Sequence, residues 1–243
     1  MESMVSDIPS LISQEDRLRL ESPISEEEVK KAIWTLHPDK ALGPDGFPIC
    51  FYRIFWHLIK KDLMRLISWM EKDNMGGATN STFLALIPKE HNPTSIKKFR
   101  LISLCNASYK IFSKVLSLRL KQIIPRLISP NQGGFISGRK ISDNILLVQE
   151  AVHSNIKKGE AGMAIKLYLA NSFDHLRHDF ILLVLEKFGF PPIFIKQIEF
   201  LSYRIYEKVN RIQSLEWSMR KINQGELGDL KGRSTLLNVI IFM

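Results

Sequence analysis

Asn171, Ser172 and Asp174 follow directly after the apolar run Ala164–Leu169, which predicts a short buried strand. Their side chains are hydrogen-bond acceptors suited to a strand-to-helix turn. Enzymes often place their chemistry on a polar turn at the end of a core strand, where backbone and side chains are held firmly. A plain strand-to-helix junction is the alternative interpretation, and on this stretch alone it is the commoner arrangement.

A second group of residues could bind phosphate. Two predicted strands, Thr82–Ile87 and Phe99–Leu104, flank a polar loop, and cations lie in the loop and at the strand ends. These cations are Lys89, Lys97, Lys98 and Arg100. Ammonium and guanidinium groups form charge-assisted hydrogen bonds with phosphate oxygens, so the hairpin is a candidate phosphate grip. A solvated basic hairpin without a ligand is the alternative.

Two loops rich in glycine and proline could present further polar groups. The segment 37–48 contains Gly43, Gly46 and three prolines, which predict a tight loop able to present Lys40 and Asp45. The segment 129–140 places three glycines around Phe135 and ends in Arg139 and Lys140. Glycines let a backbone approach a ligand closely. For the first loop, a simple helix connector is the alternative.

The elements that must position these residues are mainly helical. Ser25 and Glu28 have capping-box spacing and start a helix that ends before Pro38. Residues 1–22 are weakly patterned and are interpreted as a tail or linker. Apolar periodicity predicts further helices over 49–70, 109–124 (ended by Pro125), 144–156 (capped by Asp143), 180–188 (closed by Gly189) and 192–206.

Composition limits the class of protein. The chain has 243 residues, is 45% hydrophobic and carries a net charge of +9, which favours a polyanionic partner such as nucleic acid over a basic protein with no such partner. Cys50 and Cys105 have no CxxC spacing, which indicates a reducing, intracellular setting without a zinc site. No apolar run approaches the ~20 residues of a membrane span, and no signal peptide is expected.

Five segments occur in an order that resembles a known family. They are Lys40–Phe47, Leu86–Lys89, Ile96–Leu104, Ser129–Phe135 and Gly138–Arg139. Together they resemble the reverse transcriptase domain of LINE-type (non-LTR) retrotransposons, especially those abundant in plants. Each motif is weak alone, whereas the ordered series over 22–206 is specific.

The resemblance implies an α+β fold: the fingers and partial palm of a right-hand polymerase, helix-rich with a small incomplete antiparallel sheet. It implies a tail (1–22), fingers with part of the palm (23–162), an incomplete palm (163–213) and a degenerate C-terminal segment (214–243). Lys89 and Arg100 would hold the triphosphate of the incoming deoxynucleotide, and Phe173 would exclude a 2′-hydroxyl. The template-gripping residues would be Asn131, Gln132, Phe135, Arg139 and Lys140.

The sequence departs from the family where the metals should bind. Polymerases of this kind use two Mg²⁺ ions held by carboxylates. Tyr168 stands at the position of the family's first metal-binding aspartate, and a phenol with a pKa of about 10 is a poor Mg²⁺ ligand at neutral pH. Asp174 matches a later aspartate that is not a ligand, and the chain contains no Asp-Asp pair. Leu101 and Ser137 also replace family prolines.

Three hypotheses follow. The chain is a reverse transcriptase domain fragment that is truncated, degenerate and catalytically inactive, with no intact catalytic residue and no cofactor expected. Alternatively it is a non-catalytic remnant that binds RNA or DNA, or a pseudogene product that folds poorly. No membrane and no small-molecule substrate beyond the family's dNTP are expected, and an intracellular location, plausibly the nucleus, is anticipated.

Overall fold

A computed structural model describes residues 5, 7–72, 81–93, 98–134, 136–159, 167 and 177–202. The strand predicted at 164–169 and the polar turn after it therefore lie outside the described residues, apart from the exposed Leu167. The helices are α1 Gln14–Glu21, α2 Glu26–Thr35, α3 Ile49–Ile54, α4 Trp56–Glu71, α5 Ala107–Leu127, α6 Ile141–Lys158 and α7 His178–Phe188. The strands are β1 Thr82–Pro88 and β2 Phe99–Cys105. Residues 192–202 are also helical.

The expected helix-rich α+β class with a small antiparallel sheet is confirmed. The chain divides into one unit of Met1–Phe83 with Leu104–Ser202 and a second of Leu84–Ser103 with Tyr203–Met243. The predicted boundary after residue 22 does not coincide with this division, because residues on both sides of it belong to the first unit. The other predicted boundaries, near residues 162 and 213, fall outside the described ranges.

Within the segment 1–22, interpreted above as a tail or linker, residues 14–21 form the helix α1. Ser13 Oγ accepts a hydrogen bond from Asp16 N (3.2 Å) and so caps the helix. Leu20 is buried, and Arg17 donates to the carbonyl of Gly189 at 3.0 Å. The segment has little apolar patterning and is held in place by contacts with distant residues, so periodicity alone did not predict this helix.

The core of the first unit lies between α2, α4 and α5. The capping box at the start of α2 is confirmed: Ser25 Oγ accepts from Glu28 N (3.2 Å), and Glu28 Oε2 accepts from Ser25 N (3.0 Å). The buried residues include Val29, Ala32 and Ile33 of α2, Leu63 and Ile67 of α4, and Ile111, Phe112, Val115 and Leu116 of α5. Burying each large aliphatic or aromatic side chain contributes roughly 1.5–3 kcal/mol.

Two predicted helix boundaries differ from the structure. The helix expected over 49–70 is broken at Phe55, where α3 ends and α4 begins. Arg53, just before the break, donates to the carbonyls of Ile33, Trp34 and Leu36, which close the end of α2. Pro125 does not end α5 but lies within its last turn. Apolar periodicity continues through both places, so it could not reveal either change.

Two contacts fix the register of the hairpin formed by β1 and β2. Lys89 N donates to Lys98 O at 2.7 Å, and Thr82 Oγ1 lies 3.5 Å from Cys105 Sγ. Both contacts place Ile87 opposite Arg100. None of the helices within the described ranges is both long and apolar enough to span a bilayer.

Candidate nucleotide and nucleic-acid contacts

Lys89 and Arg100 lie on one face of the hairpin. Because positions opposite each other in an antiparallel pair share a face, the register puts Lys89 on the same side as Ile87 and Arg100. This face is the more exposed one: Lys89, Ile87, Arg100 and Ile102 are all exposed. The two cations expected to hold a triphosphate are therefore brought to one accessible surface.

The other cations of this loop contribute less. Lys98 Nζ lies 2.7 Å from Glu90 Oε1, and this half-exposed ion pair offsets the positive charge at the tip. Lys97 lies outside the described residues. Within the described part of the hairpin, Lys89 and Arg100 are the two cations of the predicted phosphate grip that are exposed.

Arg139 is engaged with the backbone. Its guanidinium donates to the carbonyls of Ser129 (2.5 Å), Gln132 (2.9 Å), Ile128 (3.1 Å) and Pro125 (3.2 Å). These contacts occupy four of the five N–H groups of an arginine. Two of the accepting carbonyls belong to the end of α5, where helix carbonyls lack intrahelical partners. Arg139 thereby ties the segment 128–132 to the end of α5.

The other residues of the predicted template-gripping segment differ in their contacts. Asn131 and Gln132 are exposed, and Asn144 of α6 donates to Asn131 O at 3.1 Å. Lys140 is exposed and precedes α6, where the Asp143 carboxylate accepts from Lys140 N (3.3 Å), as expected of a helix cap. Phe135 lies outside the described residues. The structure brings Asn131 close to the start of α6 and leaves the charge of Lys140 at the surface.

The loop containing Lys40 and Asp45 docks on the start of α5. Asp45 Oδ2 accepts from Ala107 N at 2.7 Å, and Asn106 Oδ1 accepts from Asp45 N at 3.1 Å. Gly43 packs against the end of β2 so closely that a Cβ there would lie 2.3 Å from Cys105 O. Asp45 therefore caps a helix that begins sixty residues later in the chain. No local pattern could have revealed this contact.

Two titratable groups beside this loop are affected by it. Burial and the charge of Asp45 raise the pKa of Tyr52 to about 12. Burial lowers the pKa of Lys110, whose Nζ donates to Ala41 O at 2.6 Å. Tyr52 stays neutral at physiological pH, and Lys110 is committed to the loop backbone. These interactions hold the loop in place, while Lys40 remains exposed.

The predicted catalytic strand offers a poor set of metal ligands. Tyr168, Phe173 and Asp174 lie outside the described residues. Across the described ranges, no three His, Cys, Asp or Glu side chains come together as a metal site. The oxygen donors that the sequence supplies near Tyr168 are a phenol, an amide, a hydroxyl and one carboxylate. Mg²⁺ prefers several carboxylates, so these residues do not fit the family's pair of ions.

Comparisons with known proteins agree with the motif series. A family model described as "Reverse transcriptase (RNA-dependent DNA polymerase)" matches residues 87–225, more than half of the chain. The chain is 28% identical over 210 residues to a Xenopus laevis protein named "Transposon TX1 uncharacterized 149 kDa protein". The match covers 86% of this chain and 16% of that protein, and an amphibian relative gives no support to the expected plant origin. The chain therefore belongs to the reverse transcriptase family.

Proposed function

We propose that this reverse transcriptase domain holds nucleotide or nucleic-acid phosphates but does not extend a primer. The observation that carries the proposal is the replacement of the first metal-binding aspartate by Tyr168, together with the absence of any Asp-Asp pair from the 243 residues. Phosphoryl transfer in this family depends on metal ions that clamp the attacking and leaving oxygens. Because the family's paired aspartates are missing from the sequence, we expect neither catalysis nor a bound metal cofactor.

The hairpin supports the binding part of the proposal. Lys89 and Arg100 share its exposed face, and phosphate oxygens are the natural partners of such a pair. Phosphate binding of this kind needs only charge and geometry, so it can survive the loss of the metal ligands. The partner that we propose is RNA or DNA inside the cell.

Primer extension tests the absence of catalysis. The protein is incubated with Mg²⁺, all four dNTPs and a labelled DNA primer on an RNA template, beside an active reverse transcriptase as the positive control. We expect no extension by the natural chain, and none by Tyr168→Asp, because one restored carboxylate still leaves the aspartate pair missing. Template-dependent extension by the natural chain would show the proposal to be wrong.

Titration with a fluorescent dNTP in the same buffer tests the hairpin. We expect weak binding that falls at least about tenfold in Lys89→Gln/Arg100→Gln, since a hydrogen bond to a charged group contributes roughly 1.5–3 kcal/mol and 1.4 kcal/mol corresponds to about a factor of ten. The matched control is Lys121→Gln/Lys187→Gln, which removes the same charge from exposed positions on α5 and α7. Equal losses of dNTP affinity in the two variants would show that the hairpin acts only as a non-specific basic surface.

The whole relative from Xenopus is about six times longer than the matched segment, so the proposal concerns this domain and not the activity of a complete protein.

The alternative of a poorly folding product has one observation in its favour. The helix α6 exposes six large apolar side chains, which is unusual for a soluble monomer.

A further inference from the structure

Two neighbouring cavities lie beside the C-terminal half of α4, both lined by residues of the first unit. The larger, of about 650 Å³, is an open groove between α4 and the residues that precede α2. The smaller, of about 320 Å³, lies between the end of α4 and the helical segment 192–202. Glu71 and Lys72 line both cavities, and the two cavities together are called the α4 groove.

Cations dominate the α4 groove. Its lining includes four basic residues and one acidic residue: Lys61, Arg65, Lys72, Lys196 and Glu71. All four basic residues are exposed. Arg65 pairs with Asp62 at 3.1 Å, but both side chains are about 80% exposed, so water screens this pair and it is weak. The Glu71 carboxylate accepts from Ile24 N at 3.0 Å and is thereby directed to the backbone.

Aromatic rings accompany the charges. Trp69 lines the larger cavity and is 38% exposed, and Phe200 lines the smaller cavity. Cations interleaved with accessible aromatic rings are the combination by which proteins hold single strands, because phosphates meet the cations and unstacked bases stack on the rings. In a duplex the base faces are already stacked, and they cannot reach Trp69.

A buried amide adds a third kind of group. Gln197 lines the smaller cavity and is 5% exposed, and its Oε1 accepts no hydrogen bond from any described residue. An unpaired buried polar atom is costly, and proteins keep few of them. Rotation of this side chain would offer a base edge one acceptor and two donors.

We propose that the α4 groove binds single-stranded nucleic acid, with Lys72 and Lys196 on phosphates, Trp69 stacked on a base and Gln197 at a base edge. This site contains none of the hairpin cations, so its test does not depend on whether the function proposed above is correct. It lies largely outside the motifs that carry the family resemblance.

Fluorescence anisotropy with labelled 12-nucleotide single strands of DNA and of RNA, and with the corresponding duplex, tests the proposal. We expect the single strands to bind more tightly than the duplex at low salt. In Lys72→Gln/Lys196→Gln, the plot of log affinity against log salt should become flatter by about 1.4, or roughly 0.7 for each lost phosphate contact. The charge-matched control Lys121→Gln/Lys187→Gln should keep most of the natural slope.

Two further variants separate a specific groove from a merely basic surface. Trp69→Ala should lose on the order of tenfold in affinity, while Trp69→Phe should keep most of it. Quenching of tryptophan fluorescence by the single strand should disappear in Trp69→Phe although binding persists. Gln197→Met should weaken binding without lowering the melting temperature, because it removes an unpaired buried oxygen.

Four outcomes would overturn the proposal. The first is equal loss of affinity in the groove variant and its charge-matched control. The second is duplex binding as tight as single-strand binding, and the third is unchanged affinity in a folded Trp69→Ala. Preferential binding of an acidic peptide over both oligonucleotides would likewise reject it. Relative affinity for the DNA and RNA strands then identifies the preferred nucleic acid.

Discussion

Several arginines of this basic protein donate hydrogen bonds to carbonyl groups of its own backbone. Arg119 is 3% exposed and donates to the Glu28 carboxylate (2.7 and 2.8 Å) and to the carbonyls of Leu20, Ser22 and Pro23. Arg53 closes α2, and Arg139 closes α5. A planar fork of donors suits such clusters of carbonyls. Net charge alone therefore overstates the charge available to a partner.

Arg119→Met tests this structural role. Removing the guanidinium leaves a partly buried Glu28 carboxylate and three carbonyls without their donor, so we expect a loss of about 3–5 kcal/mol in the free energy of unfolding. Urea denaturation followed by circular dichroism measures it. The control Arg65→Met breaks the exposed pair with Asp62 and should cost less than about 1 kcal/mol. Similar losses in both variants would mean that the Arg119 contacts do not hold the fold.

At the scale of elements, α6 differs from α2 and α5. The helices α2 and α5 bury one face in the core, whereas no side chain described in α6 is buried. Its exposed apolar residues are Ile145, Leu146, Leu147, Val148, Val152 and Ile156. The capping Asp143 and the left-handed Gly159 (φ 68°) define both ends, so α6 is well specified locally although little of the described chain covers it.

Leu147→Glu/Ile156→Lys tests whether α6 drives aggregation. The two residues are 60% and 73% exposed, so replacing them removes apolar surface from water without opening a cavity. We expect more monodisperse protein by light scattering and an unchanged melting temperature. The control Lys157→Gln/Lys158→Gln changes charged positions of the same helix and should not improve solubility. A marked fall in melting temperature for the apolar variant would instead show that this face is packed in solution.

At the scale of the whole molecule, carboxylates join the N-terminal helices to α5. Asp16 is 4% exposed, and hydrogen bonds from Ser13 (2.6 Å) and Arg126 (2.7 Å) hold its pKa below the usual value. Burial acts to raise the pKa of Glu28, but Arg119 and the Ser25 backbone outweigh it, so the pKa is also lowered. Burial raises the pKa of Glu71.

These shifts predict how stability changes with pH. A carboxyl whose pKa is lowered by folding stabilises the protein above its unfolded value, and that stability is lost as the pH falls through the folded value. Asp16 and Glu28 therefore make the protein less stable as the pH falls below about 4.5, the ordinary value of a glutamate. Glu71 acts in the opposite sense, because its protonated form is favoured in the folded state.

Thermal unfolding between about pH 3 and pH 7 measures this dependence. Asp16→Asn/Glu28→Gln should have a lower melting temperature at pH 7 and a flatter fall on the acid side. Glu71→Gln keeps an acceptor for Ile24 N and removes a buried charge, so its melting temperature at pH 7 should be equal or higher. If the melting temperature of the double variant falls as steeply at low pH as that of the natural protein, other carboxylates cause the pH dependence.

The sequence by itself determined the family, the α+β class, the capping box of α2 and the two strands. Each of these depends on residue type and local spacing. Only the tertiary structure decided that residues 14–21 form a helix, that Asp45 caps α5, and that Arg139 binds carbonyls. It also brought Trp69, Lys72, Lys196 and Gln197 to one groove. The physical reason is that these contacts join residues far apart in the chain, and neither periodicity nor propensity records such distances.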